Sequence, residues 1–152
     1  MIEEKIKELG YEVPQAPKPV ASYIPATQVG DLVMTAGQIP SLNGEIKFTG
    51  QIGKELTVEE GMEAARICAL NCLSVVKDVI GDLDKIEKVV KLTVFVSGTD
   101  GAGNQPKVAN GASDFIVKVF GESGKHVRAA VGVNGLPLNV PVEIEMIAKI
   151  KK

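Results

Sequence analysis

The sequence predicts a single domain of the α/β or α+β class, and three observations lead to that prediction. The chain has 152 residues, which is enough to bury a proper hydrophobic core in one domain. Hydrophobic residues make up 45% of it, a fraction too high for a disordered chain. Periodic segments follow in the order strand, helix, strand, helix, strand, strand, with no internal repeat or linker between them.

The N-terminal third predicts one short helix and one strand. Residues 2–9 have an amphipathic pattern that Gly10 ends, which indicates a short helix. Residues 11–22 are rich in proline and are expected to be extended, because proline lacks the N–H that a helix needs. Residues 32–37 form an apolar run of strand length, and residues 41–56 predict a Gly-rich loop.

Two long helices and a strand follow. The clearest helix runs from Val58 to Ile80, where Thr57 and Glu60 have the spacing of a capping box and apolar residues recur at helical spacing. The alternating pattern from Val89 to Val96 predicts a strand. A second helix is predicted from Pro106 to Phe120, with an inner face of Val108, Ala112, Phe115 and Val119.

The C-terminal segment, His126 to Ile150, predicts two strands joined by a Leu-Pro-Leu-Asn turn. A hairpin that buries its valines on one side would place Arg128 and Glu143 together on the other side, since side chains alternate along a strand. Ala130 and Gly132 would share that face, and their small size would leave room for a ligand or another subunit.

Arg128 is the main candidate for a functional residue, because a permanently charged side chain in a neutral strand needs a partner. One alternative is a surface ion pair with Glu143 or Glu145, a common arrangement that contributes little stability. The other is an anionic ligand. His126 lies two residues earlier on the same face, and it either helps to bind that anion or is a surface residue at the strand end.

Composition excludes several classes of protein. A net charge of −2 and a pI of about 5.5 argue against a dedicated nucleic-acid binder. No apolar run is long enough to span a membrane, and the charged segment MIEEKIKELG is not a secretory signal, so we expect a cytoplasmic protein. Cys68 and Cys72 lie four residues apart in a helix and are expected to be core residues rather than metal ligands. No cofactor-binding motif is present, so any active site is expected to work without a cofactor or metal.

Several segments, taken in order, resemble the YjgF/RidA family over about residues 20–150. Arg128-Ala-Ala-Val-Gly-Val-Asn-Gly-Leu-Pro137 followed by Val142-Glu143-Ile144-Glu145 is similar to the family's late strands, and Val33-Met-Thr-Ala-Gly-Gln-Ile-Pro40 to its early strand. The domain would thus occupy residues 20–152, after an N-terminal helix and Pro-rich segment in residues 1–19. That N-terminal helix, together with Gly111-Ala-Ser-Asp, resembles a longer subgroup of the family.

The resemblance implies a chorismate-mutase-like α+β fold with a mixed sheet and two main helices on one face. It also implies a homotrimer, with the sheets packed into a barrel and sites in clefts between subunits. The family's main branch hydrolyses reactive enamines and imines, such as 2-aminoacrylate, to 2-keto acids and ammonia without a cofactor. Arg128 would clamp the substrate carboxylate and Glu143 would activate water. Tyr23 would line the cleft from the neighbouring chain, Gly37 would offer backbone hydrogen bonds, and Asn110 would lie near the cleft.

Two positions depart from the main branch and leave three functions open. Ala36 stands where the branch has Ser, and Ala130, at a substrate-binding position, where it often has Cys. The loss of a hydroxyl from a polar site can lower activity or change specificity. The chain is therefore an imine/enamine deaminase, a protein that binds a small carboxylate such as a 2-keto acid without turnover, or an endoribonuclease and translation inhibitor. The acidic charge balance disfavours the last of these.

Overall fold

A computed structural model describes residues 1–18, 22–99 and 103–152 of the chain. Its helices are α1 (Ile2–Glu8), α2 (Val58–Ile80) and α3 (Gln105–Phe120). Its strands are β1 (Ala26–Val29), β2 (Leu32–Thr35), β3 (Ser41–Leu42), β4 (Glu45–Ile46), β5 (Ile86–Ser97), β6 (Val127–Val133) and β7 (Val142–Ile150).

One mixed sheet, covered by helices on one face, organises the domain. Its strand order is β1-β2-β7-β5-β6, in which only β5 and β6 run parallel. α2 packs on β7, and α3 packs on β5, β6 and α2. The core lies between these layers, because the strand residues that face the helices are buried: Leu92, Val94, Val96, Val142, Ile144, Met146 and Ala148. The predicted α+β fold with a mixed sheet and two main helices is confirmed.

Helix α2 forms the centre of the core, as its periodicity predicts. The capping box is present, since the Thr57 side chain accepts from the Glu60 N–H and the Glu60 carboxylate accepts from the Thr57 N–H. Both cysteines are free and fully buried. Cys68 Sγ lies 3.5 Å from the Val142 carbonyl oxygen and Cys72 Sγ lies 3.4 Å from that of Ile144, so the thiols join α2 to β7. Burial raises the pKa of the Cys72 thiol to about 12, which keeps it protonated as a donor.

The predicted C-terminal hairpin is wrong. β6 and β7 do not pair with each other, because β5 lies between them, parallel to β6 and antiparallel to β7. The physical reason is the helix between β5 and β6: a strand, a helix and a second strand connect most readily as a parallel unit. β7 then takes the other side of β5.

The predicted buried face of β6 is wrong as well. Val127 and Val131 point away from the helices and are 65% and 43% exposed. Arg128 and Ala130 instead lie beside Leu92 and Val94 of β5, on the face that α3 covers. Gly132 is exposed, and a Cβ there would come within 2.8 Å of the end of the Gln105 side chain at the start of α3, so the small residues of β6 let that helix approach.

Smaller differences concern short elements and segment ends. β1 was not predicted, and the predicted loop at residues 41–56 contains the short β3–β4 hairpin. β5 extends beyond the predicted Val89–Val96 at both ends. Residues 19–21 of the predicted Pro-rich segment and residues 100–102, between β5 and α3 in the sequence, lie outside the described part of the chain.

The N-terminal segment packs against the two long helices. Ile6 of α1 is fully buried in the common core. Tyr11 meets Phe115 of α3 edge to face, with ring centroids 5.7 Å apart, and the Arg66 guanidinium of α2 lies 3.7 Å above the Tyr11 ring. The division of the chain at residues 19 and 20 stays a prediction.

Candidate functional site

Three of the predicted site residues meet in one surface cavity of about 430 Å³, which we call the Glu143 pocket. Tyr23, Gly37 and Glu143 all line it. The other lining residues come from the extended N-terminal segment, the end of β2 and the turn before β7: Pro17, Lys18, Pro25, Gln38, Ile39, Ser41, Pro137 and Leu138. The volume suits a small organic molecule, and the lining combines apolar walls with polar side chains, among them the Glu143 carboxylate and Lys18.

The carboxylate of Glu143 lies directly against the backbone of Gly37. A Cβ at residue 37 would overlap Oε2 of Glu143, so only glycine permits this approach. Glu143 is half-buried on β7, and burial, followed by the negative charge of Glu145, raises the pKa of its carboxyl above the ordinary value. Such a carboxyl is suited to take up and release a proton.

Arg128 belongs to a second group of polar side chains, the Arg128 cluster, formed by Asn110, Ser113, His126 and Arg128. Its Nη1 donates to Oδ1 of Asn110 at 2.8 Å and to Oγ of Ser113 at 3.2 Å, both on α3. The two hydrogens of Nη1 are thereby used. Among the described residues, Nε and Nη2 donate to no acceptor, which leaves one edge of the guanidinium able to hold a carboxylate with two hydrogen bonds.

The remaining predicted site residues lie around this cluster. Nε2 of His126 is 2.9 Å from Oγ of Ser113, and Nδ1 is 2.6 Å from the carbonyl oxygen of Gly124. Both ring nitrogens therefore have protein partners. Ala130 is half-buried and packs against the core beneath α3.

The Glu143 pocket and the Arg128 cluster lie on opposite faces of the sheet within one chain. Arg128 is paired with Leu92, whose side chain is buried under the helices, whereas Glu143 is paired with Phe95, which points to the other face. Among the described residues Arg128 forms no salt bridge, so the predicted surface ion pair with Glu143 or Glu145 is wrong. Its hydrogen-bond partners are neutral groups on α3.

Sequence reasoning missed several residues of both groups. Ser113 follows Asn110 by three positions on a helix, so the two share a face, and that spacing could have predicted that both reach Arg128. Leu138 lines the Glu143 pocket from the Leu-Pro-Leu-Asn turn, with a φ of 57°. No sequence signal placed that turn beside Gly37, because the contact depends on β2 and β7 being neighbours.

Two absences hold for residues 1–18, 22–99 and 103–152. In these segments no three His, Cys, Asp or Glu side chains are close enough together to hold a metal ion. No helix there has the length and apolar character needed to cross a membrane.

Comparison with known proteins identifies the family. A family model described as "YjgF/chorismate mutase-like, putative endoribonuclease" matches residues 3–150. The chain belongs to this family. The YjgF match spans the Glu143 pocket and the Arg128 cluster alike.

Three individual YjgF-type relatives illustrate the range of names in the family. "Protein TCP17" of Trypanosoma cruzi is 42% identical over 95% of this chain and 91% of its own length. A 2-iminobutanoate/2-iminopropanoate deaminase of Dermatophagoides farinae is 31% identical over 91% of this chain and 93% of its own length. The crystal structure of Atu1372 from Agrobacterium tumefaciens, a protein of unknown function, is 44% identical with a TM-score of 0.93, over 99% of this chain and 92% of that one.

Proposed function

We propose that this protein hydrolyses small imino acids and their enamine tautomers to 2-keto acids and ammonia. One observation carries the proposal: Arg128 has its Nη1 hydrogens held by Asn110 and Ser113, so that its Nε and Nη2 edge is oriented for a carboxylate. A relative at 31% identity is named 2-iminobutanoate/2-iminopropanoate deaminase, and both compounds in that name are small imino acids with a carboxylate.

Glu143 is the proposed general base. Its carboxylate takes a proton from water while the water oxygen attacks the carbon of the protonated imine, which gives a neutral carbinolamine. Glu143 returns that proton to the nitrogen, the C–N bond breaks and ammonia leaves, while the carbinolamine oxygen forms the carbonyl of the keto acid and gives its own proton to Glu143, which releases it to solvent. The raised pKa of Glu143 favours both the uptake and the return of the proton.

The proposed site is shared between subunits of a homotrimer. Arg128 and Glu143 lie on opposite faces of one sheet, so one chain cannot direct both groups at a single small substrate. An assembly that places the Arg128 cluster of one subunit against the Glu143 pocket of the next would complete the site. The open face of the sheet supports such an assembly, since Val127 and Val131 are exposed there.

The direct test follows keto-acid release from imino acids generated in situ by an amino-acid dehydratase or oxidase. We expect Arg128→Ala and Glu143→Gln each to lower kcat/KM by about 100-fold or more, since each removes a group that contacts substrate or water. Lys152→Ala and Glu8→Gln, which alter exposed charges away from both groups, serve as matched controls. A wild-type rate in Arg128→Ala would reject the proposal.

Mixing the two inactive variants tests the shared site. In mixed trimers an Arg128→Ala chain supplies Glu143 and a Glu143→Gln chain supplies Arg128, so about one quarter of the sites regain both groups. We therefore expect activity to return when the chains are unfolded and refolded together. If both groups act from the same chain, the mixture stays inactive.

A second function, carboxylate binding without turnover, is favoured by Ala36 and Ala130, which carry no side-chain hydroxyl or thiol at positions where the main branch of the family has one. Calorimetric titration with pyruvate distinguishes it. Saturable binding to a protein that releases no keto acid above the spontaneous rate would replace the deaminase assignment with this one.

A further inference from the structure

A chain of hydrogen bonds connects the only histidine of the protein to Arg128. It runs from the carbonyl oxygen of Gly124 to Nδ1 of His126 at 2.6 Å, from Nε2 to Oγ of Ser113 at 2.9 Å, and from Oγ to Nη1 of Arg128 at 3.2 Å. His126, Ser113 and Arg128 are all half-buried. Solvent therefore competes only in part for these contacts.

The partners fix the direction of each hydrogen bond. A backbone carbonyl can only accept, so the hydrogen of the neutral imidazole lies on Nδ1, and Nε2 becomes the acceptor. The Ser113 hydroxyl then donates to Nε2. Its oxygen lone pairs face Arg128 Nη1, which can only donate. For a neutral imidazole, this is the one tautomer that satisfies the whole chain.

We propose that His126 and Ser113 are positioning residues that hold the Arg128 guanidinium in the orientation that binds a carboxylate. The inference rests on the proposed role of Arg128 as an anion clamp. Asn110 fixes one hydrogen of Nη1 and Ser113 fixes the other, so the plane of the guanidinium is held at two points. Neither His126 nitrogen is left to touch the anion, so the histidine acts through Ser113.

A built-in orientation of Arg128 reduces the entropy lost when a carboxylate binds. Loss of one hydrogen bond in this chain should weaken binding by about 3- to 10-fold. Arg128 binds the carboxylate equally strongly in the ground state and in the transition state. A weaker hold on the carboxylate should therefore raise Kd and KM and leave kcat nearly unchanged.

The first experiment determines, without any ligand, which nitrogen of His126 carries the hydrogen. Because the protein has one histidine, ¹⁵N spectra of the histidine-labelled full chain give a single imidazole. We expect a protonated Nδ1 and an unprotonated Nε2, and we expect the Nε2 signal to move in Ser113→Ala and to stay in place in Ser123→Ala. A hydrogen on Nε2 of the neutral imidazole would overturn the proposed arrangement.

The second experiment measures the dissociation constant of pyruvate for the same variants. We expect Ser113→Ala and His126→Ala each to weaken binding by the factor given above, and the double variant to bind no more weakly than Ser113→Ala alone, because His126 acts only through that hydroxyl. Ser113→Thr should restore tight binding. Additive effects of the two substitutions, or no recovery in Ser113→Thr, would contradict the positioning role.

Two further outcomes separate this inference from the proposed function. If wild type binds pyruvate but releases no keto acid, the deaminase proposal fails while the positioning role is still tested by the binding constants. If kcat rather than KM collapses in Ser113→Ala, Ser113 takes part in the chemistry and the positioning role is rejected. The absence of any saturable pyruvate binding to wild type would reject the clamp and the positioning role together.

Discussion

Glu143 shows how burial and one neighbour on its strand raise the pKa of a single carboxyl. Glu145 lies two residues along β7 and therefore on the same face, with its side chain exposed. Its negative charge adds to the effect of burial, and both raise the pKa of Glu143 from the ordinary value of 4.5. Because a general base must be deprotonated to accept a proton, activity should fall as the pH drops through this raised pKa.

Replacing Glu145 by Gln should move the acidic limb of the pH profile of kcat/KM to lower pH. The substitution removes the second cause of the raised pKa and leaves burial, the larger cause, in place. The limb should therefore shift toward the ordinary value without reaching it. Steady-state rates between pH 4 and 8 would measure the shift, with Glu87→Gln of β5 as the control. An acidic limb that stays in place would exclude Glu145 as a determinant.

Arg128 was the functional residue easiest to predict from the sequence, whereas its hydrogen-bond partners were the hardest to predict. A lone arginine in a neutral strand requires a partner, and the structure supplies one in the amide and hydroxyl of α3. The sequence pattern instead favoured glutamates of β7. Alternation along a strand tells which residues share a face but not which of the two faces a helix covers, and β6 is apolar on both.

At the scale of elements, α2 shows a local signal that the tertiary structure preserves. Thr57 is exposed and makes its main contacts with Glu60, through hydrogen bonds of 3.0 and 3.1 Å between side chains and backbone N–H groups. These bonds satisfy N–H groups that the first turn of a helix otherwise leaves unpaired.

Thr57→Ala should lower the free energy of unfolding by about 1 kcal/mol, the usual effect of removing such a cap. Urea denaturation at one fixed protein concentration would measure it, because the proposed assembly would make stability depend on concentration. Thr49→Ala, at an exposed loop position, is the matched control and should have little effect. Equal stability of the two variants would show that tertiary contacts alone hold the start of α2.

The sequence predicted the elements that are long enough to show a clear periodicity. It did not predict the short strands or the pairing between distant strands. The two long helices and β5 each contain enough residues to show a periodicity, and caps or glycines mark the helix ends. β1 has four residues and β3 and β4 two each, too few for alternation to be distinguished from chance. Pairing between distant strands leaves no mark in either strand alone, so the place of β5 between β6 and β7 was missed.

At the scale of the molecule, and within the described residues, the sheet has one face without helices and two edge strands, β1 and β6. β6 is the last strand of the sheet, and Val127 and Val131 project from it on the open face. Exposed apolar side chains next to an unpaired strand edge are typical of surfaces that bind another chain. A second copy of this protein is the occupant that the proposed site requires.

Val131→Lys should therefore reduce the sedimenting species from trimer to monomer, because it would bury an unpaired charge between subunits. Sedimentation velocity across a range of concentrations measures the change. Val79→Lys is a close control, since Val79 is 39% exposed on α2 compared with 43% for Val131. Monomeric wild-type protein at every concentration would contradict the proposed assembly and the shared site with it.

The position of Arg128 and Glu143 on opposite faces of one sheet has a consequence for how such proteins diverge. Arg128 depends on α3, whereas Glu143 depends on Gly37 and the turn at Leu138, so drift in one neighbourhood leaves the other intact. A lineage could then discard chemistry while it keeps recognition, through substitutions confined to β7 and the end of β2. On the proposed roles of the two residues, a protein that only binds keto acids and one that hydrolyses imino acids would differ by few substitutions.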